Sequence, residues 1–288
     1  MGKIMTIQSN QTWEGMAEIF PDVVFSHAGG EELKMQIIAP WWNREGAEIP
    51  KYPLVIFVQG SAWTFPGVWY QIPQLSELAR KGYVVATITH RNSMEGHPFP
   101  ACMQDVKTAI RFLRKNADEY GIAADRIGLW GTSSGANLSL LAAMTEGEER
   151  YKTEEYSEYS DKVNFVVACF PTTDLVEYMQ DDNADLEIKD IFVALSGGRM
   201  DEEMGILKEM SPYRKVKESD SITCPPIFLA HGDADELIPH SQSMKLYEEL
   251  EKKGADVTMV TVEGAPHEDA FWSGEMLSLI YDFIDCYK

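Results

Sequence analysis

The chain has 288 residues, of which 44% are hydrophobic and 25% charged, the proportions of a globular protein with a large core and not of a disordered one. Asp and Glu outnumber Lys and Arg by 46 to 25, and the resulting formal charge of −21 repels phosphate backbones and argues against a nucleic-acid partner. No apolar stretch approaches the roughly 20 residues that a membrane-spanning helix needs, and the N-terminal residues lack the continuous apolar segment of a secretory signal, so a cytoplasmic protein without a membrane partner is expected.

In chain order, apolar runs at 23–26 and 33–38 flank Ala28-Gly29-Gly30 and predict an antiparallel hairpin at the first edge of a sheet. Further runs at 54–58, 83–88, 127–130, 163–170, 227–230 and 257–262 are bounded by turn residues, and most are too continuous for half-exposed strands. Between them lie helical patterns: Val106, Ile110 and Leu113 share one face, while Lys107, Arg111 and Arg114 occupy the other. Buried strands alternating with helices imply parallel strands joined by crossovers, hence an α/β fold whose sheet is covered on both faces. Residues 146–162, rich in Glu and Tyr, are expected to form a solvated connection without chemistry. Residues 172–224 are too long for an ordinary connection, and Leu175-Val176, Ile188, Ile191-Phe192 and Leu207 predict short helices in a small cap inserted over the functional edge of the sheet. Length alone suggests about two domains. With no linker-like tract and no internal repeat, a single domain over 1–288 containing that insertion is the expectation.

The sharpest chemical signal is Gly131-Thr132-Ser133-Ser134-Gly135, with a predicted strand before it and a helix-forming run after it. In this G-x-S-x-G context a tight strand-to-helix turn presents Ser133 above the sheet, and the glycines let neighbouring backbone approach closely. The helix that starts there aims its unpaired N–H groups at the same spot, which suits an anionic intermediate. A serine hydroxyl is a weak nucleophile and needs a base that is itself oriented by a carboxylate. Ser133, Asp235 and His267 occur in the order Ser, Asp, His, with Asp235 and His267 each just beyond a predicted strand on the sheet edge that carries Ser133. Composition does not choose among Asp233, Asp235 and Glu236 as the orienting acid. The other histidines, His27, His90, His97, His231 and His240, fall in upstream loops, at a strand end, in a turn or at a helix start, and read as structural. Trp63 is the aromatic expected to line an acyl or sugar pocket, ahead of its neighbours Phe65, Trp69 and Tyr70. Cys102, Cys169, Cys224 and Cys286 are scattered without a CxxC pair, so neither a metal site nor a disulfide framework is indicated.

These motifs together make the chain resemble α/β-hydrolase carbohydrate esterases of the acetyl xylan and feruloyl esterase type, and more distantly the hormone-sensitive-lipase-like carboxylesterases. The resemblance spans about 50–288 and rests on Gln59-Gly60-Ser61-Ala62-Trp63, His97-Pro98-Phe99-Pro100-Ala101 with Asp105, the serine turn, Ser211-Pro212, His231-Gly232-Asp233-Ala234-Asp235 with Pro239, and His267 followed by Phe271-Trp272. It implies an α/β-hydrolase fold, with Asp235 as the orienting acid and an oxyanion hole formed by the N–H groups of Ser61, Ala62 and Ser134. It also implies deacylation of acylated sugars, acetyl on xylan fragments first and feruloyl esters second, with no cofactor. Where the family commonly has His-Gly-Gly, this chain has Gln59-Gly60-Ser61; Gln59 is expected to hold the turn by hydrogen bonding. Two rivals are a prolyl-oligopeptidase-type peptidase, for whose extra propeller the residues ahead of the core strands leave no room, and a hydrolase-fold binding module without catalysis.

Overall fold

The computed structural model describes residues 2–42, 49–198 and 200–288, excluding the side chains of residues 200–203. The strands are β1 (Ala17–Ser26), β2 (Leu33–Pro40), β3 (Tyr52–Val58), β4 (Val84–Ile88), β5 (Ile122–Thr132), β6 (Phe165–Cys169), β7 (Ile227–Gly232) and β8 (Val257–Val262). They pair into one sheet in the order β1-β2-β4-β3-β5-β6-β7-β8. The first two form the expected edge hairpin and β2 is antiparallel to β4, whereas all pairings from β4 to β8 are parallel. This is the open, mostly parallel sheet of an α/β-hydrolase. At Pro21-Asp22 the β1–β2 register slips, and the buried Gln36 stands in for the lost ladder: its Oε1 accepts from Asp22 N at 2.9 Å and its Nε2 donates to Asp22 Oδ1 at 3.0 Å.

The helices are α1 (Ile72–Arg80), α2 (Ala101–Lys115), α3 (Ser133–Met144), α4 (Leu175–Gln180), α5 (Leu186–Leu195), α6 (Met200–Glu209), α7 (Pro212–Glu218), α8 (Ser241–Lys252) and α9 (Gly274–Asp285). Because successive strand residues point to opposite faces, the continuous apolar run of β3 feeds two cores. Leu54, Ile56 and Val58 pack with Val106 and Ile110 of α2, Leu138 of α3 and Leu246 of α8. Val55 and Phe57 pack with Leu75 and Leu78 of α1 and with Ile280 and Ile284 of α9. No described helix is long and apolar enough to cross a membrane.

Of the two long connections, one follows the sequence expectation and the other departs from it. Residues 172–224 form α4 to α7, as the short apolar clusters predict, and Asn137 of α3 ties them down by donating to Thr172 O at 2.9 Å and Met210 O at 2.8 Å. Residues 146–162 are not simply a solvated connection, and the basic face of α2 is not turned to water. Lys107 is fully buried and donates to Asp161 Oδ2 at 2.6 Å and Thr145 O at 2.5 Å, while Arg111 reaches Thr153 Oγ1 at 3.2 Å. Tyr151, also buried, donates to Glu209 Oε1 at 2.6 Å. The segment is a strap that supplies acceptors to Lys107 and Arg111 of α2, and a charge pattern read one element at a time does not reveal a partner supplied from 54 residues away.

Candidate active site

Strand β5 ends at Thr132 and α3 begins at Ser133, so the chain turns without an intervening residue. Ser133 takes φ 50, a left-handed conformation that a Cβ disfavours. Lack of room explains the glycines around it. A Cβ on Gly131 would stand 2.4 Å from Gly135 O, one on Gly135 would stand 2.0 Å from Val58 O, and one on Gly60 would stand 2.7 Å from Ser133 Cβ. The ends of β3 and β5 and the start of α3 therefore meet at backbone contact distance, and the serine side chain is pushed outward.

The loops after β7 and β8 bring the two expected partners to it. His267 Nε2 lies 3.1 Å from Ser133 Oγ, and His267 Nδ1 lies 2.7 Å from Asp235 Oδ2. A carboxylate at Nδ1 fixes the proton there and leaves Nε2 to accept from the serine hydroxyl. Asp235 is anchored on its other side, where Oδ1 accepts from Leu237 N at 3.0 Å and Ile238 N at 2.9 Å. Of the competing carboxylates, Asp233 accepts from Gly264 N at 2.6 Å, bridging the two loops, and Glu236 is exposed and has no bond to His267.

The sequence treats His231 as a turn residue, but the structure places it, fully buried, against the same carboxylate. Its Nε2 is 3.1 Å from Asp235 Oδ2 and 2.9 Å from Ile238 O, and its Nδ1 is 2.7 Å from Ser243 Oγ. Burial alone would push the Asp235 carboxyl up, yet the hydrogen bonds from His231 and His267 outweigh it and hold the group well below the usual carboxylate range.

The expected oxyanion loop needs two corrections. Ser61 N–H is not free, because it donates to Ser134 Oγ at 2.9 Å. Gln59 does not hold the turn, since its buried Oε1 has no partner; instead Gly60 N–H donates to Thr132 Oγ1 at 2.8 Å. The Ala62 and Ser134 N–H groups have no hydrogen-bond partner among the described residues. Of the expected aromatics, Trp63 lines the cavity together with Tyr70. Trp63 reaches the cavity wall but is only 1% exposed and packs edge-on against Phe192 of α5, whereas Phe65, Trp69 and Tyr70 are exposed, Tyr70 on the same wall. The cavity has a volume of ≈ 300 Å³, and its lining includes Ser133, His267, Glu268, Ile188 and Ile238. Among the described residues no group of three His, Cys, Asp or Glu side chains is arranged to hold a metal ion.

A family model described as BD-FAE matches residues 43–250 of this chain, which includes Ser133 and Asp235. The chain belongs to the BD-FAE family. It is 29% identical over 229 residues to "Esterase LipC" of Mycobacterium tuberculosis, covering 78% of this chain and 55% of that protein. It is 25% identical over 224 residues to "Isoprenylcysteine alpha-carbonyl methylesterase ICME" of Arabidopsis thaliana, covering 76% of this chain and 51% of that protein. This BD-FAE chain thus spans about half the length of the curated relatives it matches. A solved structure described as "Truncated form of carbohydrate esterase from gut microbiota" superposes with a TM-score of 0.80 at 27% identity, covering 95% of this chain and 97% of that one.

Proposed function

We propose that this chain is a serine carboxylesterase that removes short acyl groups, acetyl first among them, from acylated sugars or xylan fragments. The observation that carries the reading is the unbroken hydrogen-bonded sequence Ser133, His267, Asp235 at the wall of a cavity. In this reading His267 takes the hydroxyl proton as Ser133 Oγ attacks the ester carbonyl, and Asp235 holds the tautomer and steadies the imidazolium. The Ala62 and Ser134 N–H groups receive the oxyanion, and the Ser61 N–H bond to Ser134 Oγ fixes the loop that carries Ala62. His267 then returns the proton to the departing alcohol oxygen, and water attacks the acyl-enzyme by the same route in reverse. The carbohydrate part of the proposal draws on the carbohydrate esterase named above as a structural neighbour. The preference for small acyl groups draws on the ≈ 300 Å³ cavity, at the lower end of the range for small-molecule sites.

Labelling by a fluorophosphonate, lost in Ser133→Ala, tests the nucleophile. A panel of acetyl, butyryl, octanoyl and feruloyl esters tests the acyl side, with acetyl expected to exceed octanoyl steeply because each methylene without room forfeits about 1–3 kcal/mol. A flat profile across chain length would point to an open lipase-like groove, and faster feruloyl turnover would move the assignment to a feruloyl esterase. Inhibition by EDTA that zinc reverses would sink the serine mechanism.

A further inference from the structure

Glu268, which follows His267 directly, sits in a conformation that the chain has reason to avoid. Its φ of 64 and ψ of −148 border a backbone region essentially reserved for glycine, and Asp269 after it is also at positive φ. A glutamate held there is worth a question about what its side chain does. It lines the same cavity as Ser133 and His267. One carboxylate oxygen, Oε2, accepts from Trp272 Nε1–H at 3.4 Å, and Trp272 is itself packed against Phe271, Phe170 and Trp130. The other oxygen, Oε1, has no hydrogen-bond partner, and no Lys or Arg pairs with Glu268, among the described residues. The carboxylate is therefore steered from behind by an aromatic cluster and keeps an open acceptor.

The esterase reading decides which half of a substrate meets it. The leaving alcohol oxygen must come within hydrogen-bond reach of His267 Nε2, while the carbonyl oxygen turns toward the Ala62 and Ser134 N–H groups. The wall beside His267 accordingly belongs to the alcohol. We infer that Glu268 is the specificity residue for that half: it accepts a hydrogen bond from a hydroxyl vicinal to the ester oxygen and turns away alcohols that carry an anion there. The substrate class this selects is the ester of a neutral polyol. The inference rests on the proposed esterase activity and adds to it the choice of alcohol.

The test uses the full chain and three acetate esters of one ring: cyclohexyl acetate, the monoacetate of trans-1,2-cyclohexanediol, and the acetate of trans-2-hydroxycyclohexanecarboxylate. The unaltered protein should prefer the diol ester over cyclohexyl acetate by about tenfold in kcat/KM, the worth of a hydrogen bond to a charged acceptor, and should disfavour the carboxylate ester. Glu268→Gln should narrow the first ratio and raise the relative rate of the carboxylate ester. Glu268→Gly, which fits the local backbone, should abolish the diol preference in a folded protein. If both variants keep the parent ratios, or if a fluorophosphonate-reactive parent shows flat ratios, the inference is overturned while the esterase reading stands. If the parent neither labels nor turns over any of the esters, the esterase reading fails and this inference falls with it.

Discussion

At Ser133 the backbone and the hydroxyl can be tested apart. Ser133→Ala should lower turnover by about 10⁴ to 10⁶ without raising stability, since alanine keeps the Cβ that φ 50 disfavours. Ser133→Gly should be equally inactive but melt higher, by the equivalent of about 1 kcal/mol, because the strain is released; parallel calorimetry and ester kinetics on the two variants check this. Asp235→Asn should cost about 10⁴ in kcat by presenting the wrong tautomer to Ser133, whereas Asp233→Asn should cost little beyond the loop bridge to Gly264. The Asp235 carboxyl also has a pH signature. It is held below its ordinary value in the folded state, so between that depressed value and about pH 3.9 the unfolded chain binds the proton first and stability falls as pH drops. Urea midpoints from pH 6 downward should show that loss in the parent and less of it in Asp235→Asn. That Ser133, His267 and a carboxylate from the loop after β7 meet was legible from their order and their places after strands, while the choice of Asp235 over Asp233 and Glu236 came from the family resemblance. The Ser134 hydroxyl on Ser61 N–H and His231 on Asp235 were not legible, because both are contacts of side-chain direction, one of them across 73 residues, that leave no periodic trace.

Among the elements, the Lys107–Asp161 pair carries the clearest energetic consequence. Both side chains are buried, so Lys107→Ala leaves the Asp161 carboxylate with only the more distant Arg111 guanidinium, at 3.9 Å, and should cost about 3 kcal/mol. The Lys107→Met, Asp161→Asn double variant should recover part of that loss, and chemical unfolding of the three proteins measures it. The strap over α2 is also where element-level reading stopped short. The inner strands were legible because a sheet buried on both faces writes itself as uninterrupted apolar runs, as in β6, which is buried at every position within the predicted run 163–170. Helix α2 was legible as a helix, but its basic stripe is what a solvated face looks like, and only the returning chain turns it into an interior. The loop after β3 was legible in part: Trp63 does reach the cavity wall, but a cluster of aromatics does not say which ring is drawn inward, and contact with Phe192, more than a hundred residues later, buries Trp63 while Tyr70 stays exposed on the same wall.

For the whole molecule, the charge of −21 sets a field that anionic esters must climb. Raising ionic strength from about 0.01 to 0.15 M shortens the screening length from about 30 to 8 Å, so kcat/KM for an anionic ester should rise with salt while that for a neutral ester stays nearly flat; equal responses would show that the field does not reach the site. The sheet order has a consequence of another kind. Ser133, Asp235 and His267 follow β5, β7 and β8, and among the described residues β8 is an edge strand whose ladder is with β7. On the ribosome Ser133 emerges well over a hundred residues ahead of His267, the residue proposed as its base. A nascent polypeptide can build most of its sheet before the proposed Ser133–His267 pair can form. During refolding from denaturant, ester turnover should therefore return only after the far-ultraviolet circular dichroism has largely recovered, so that chemistry reports the docking of the last strand.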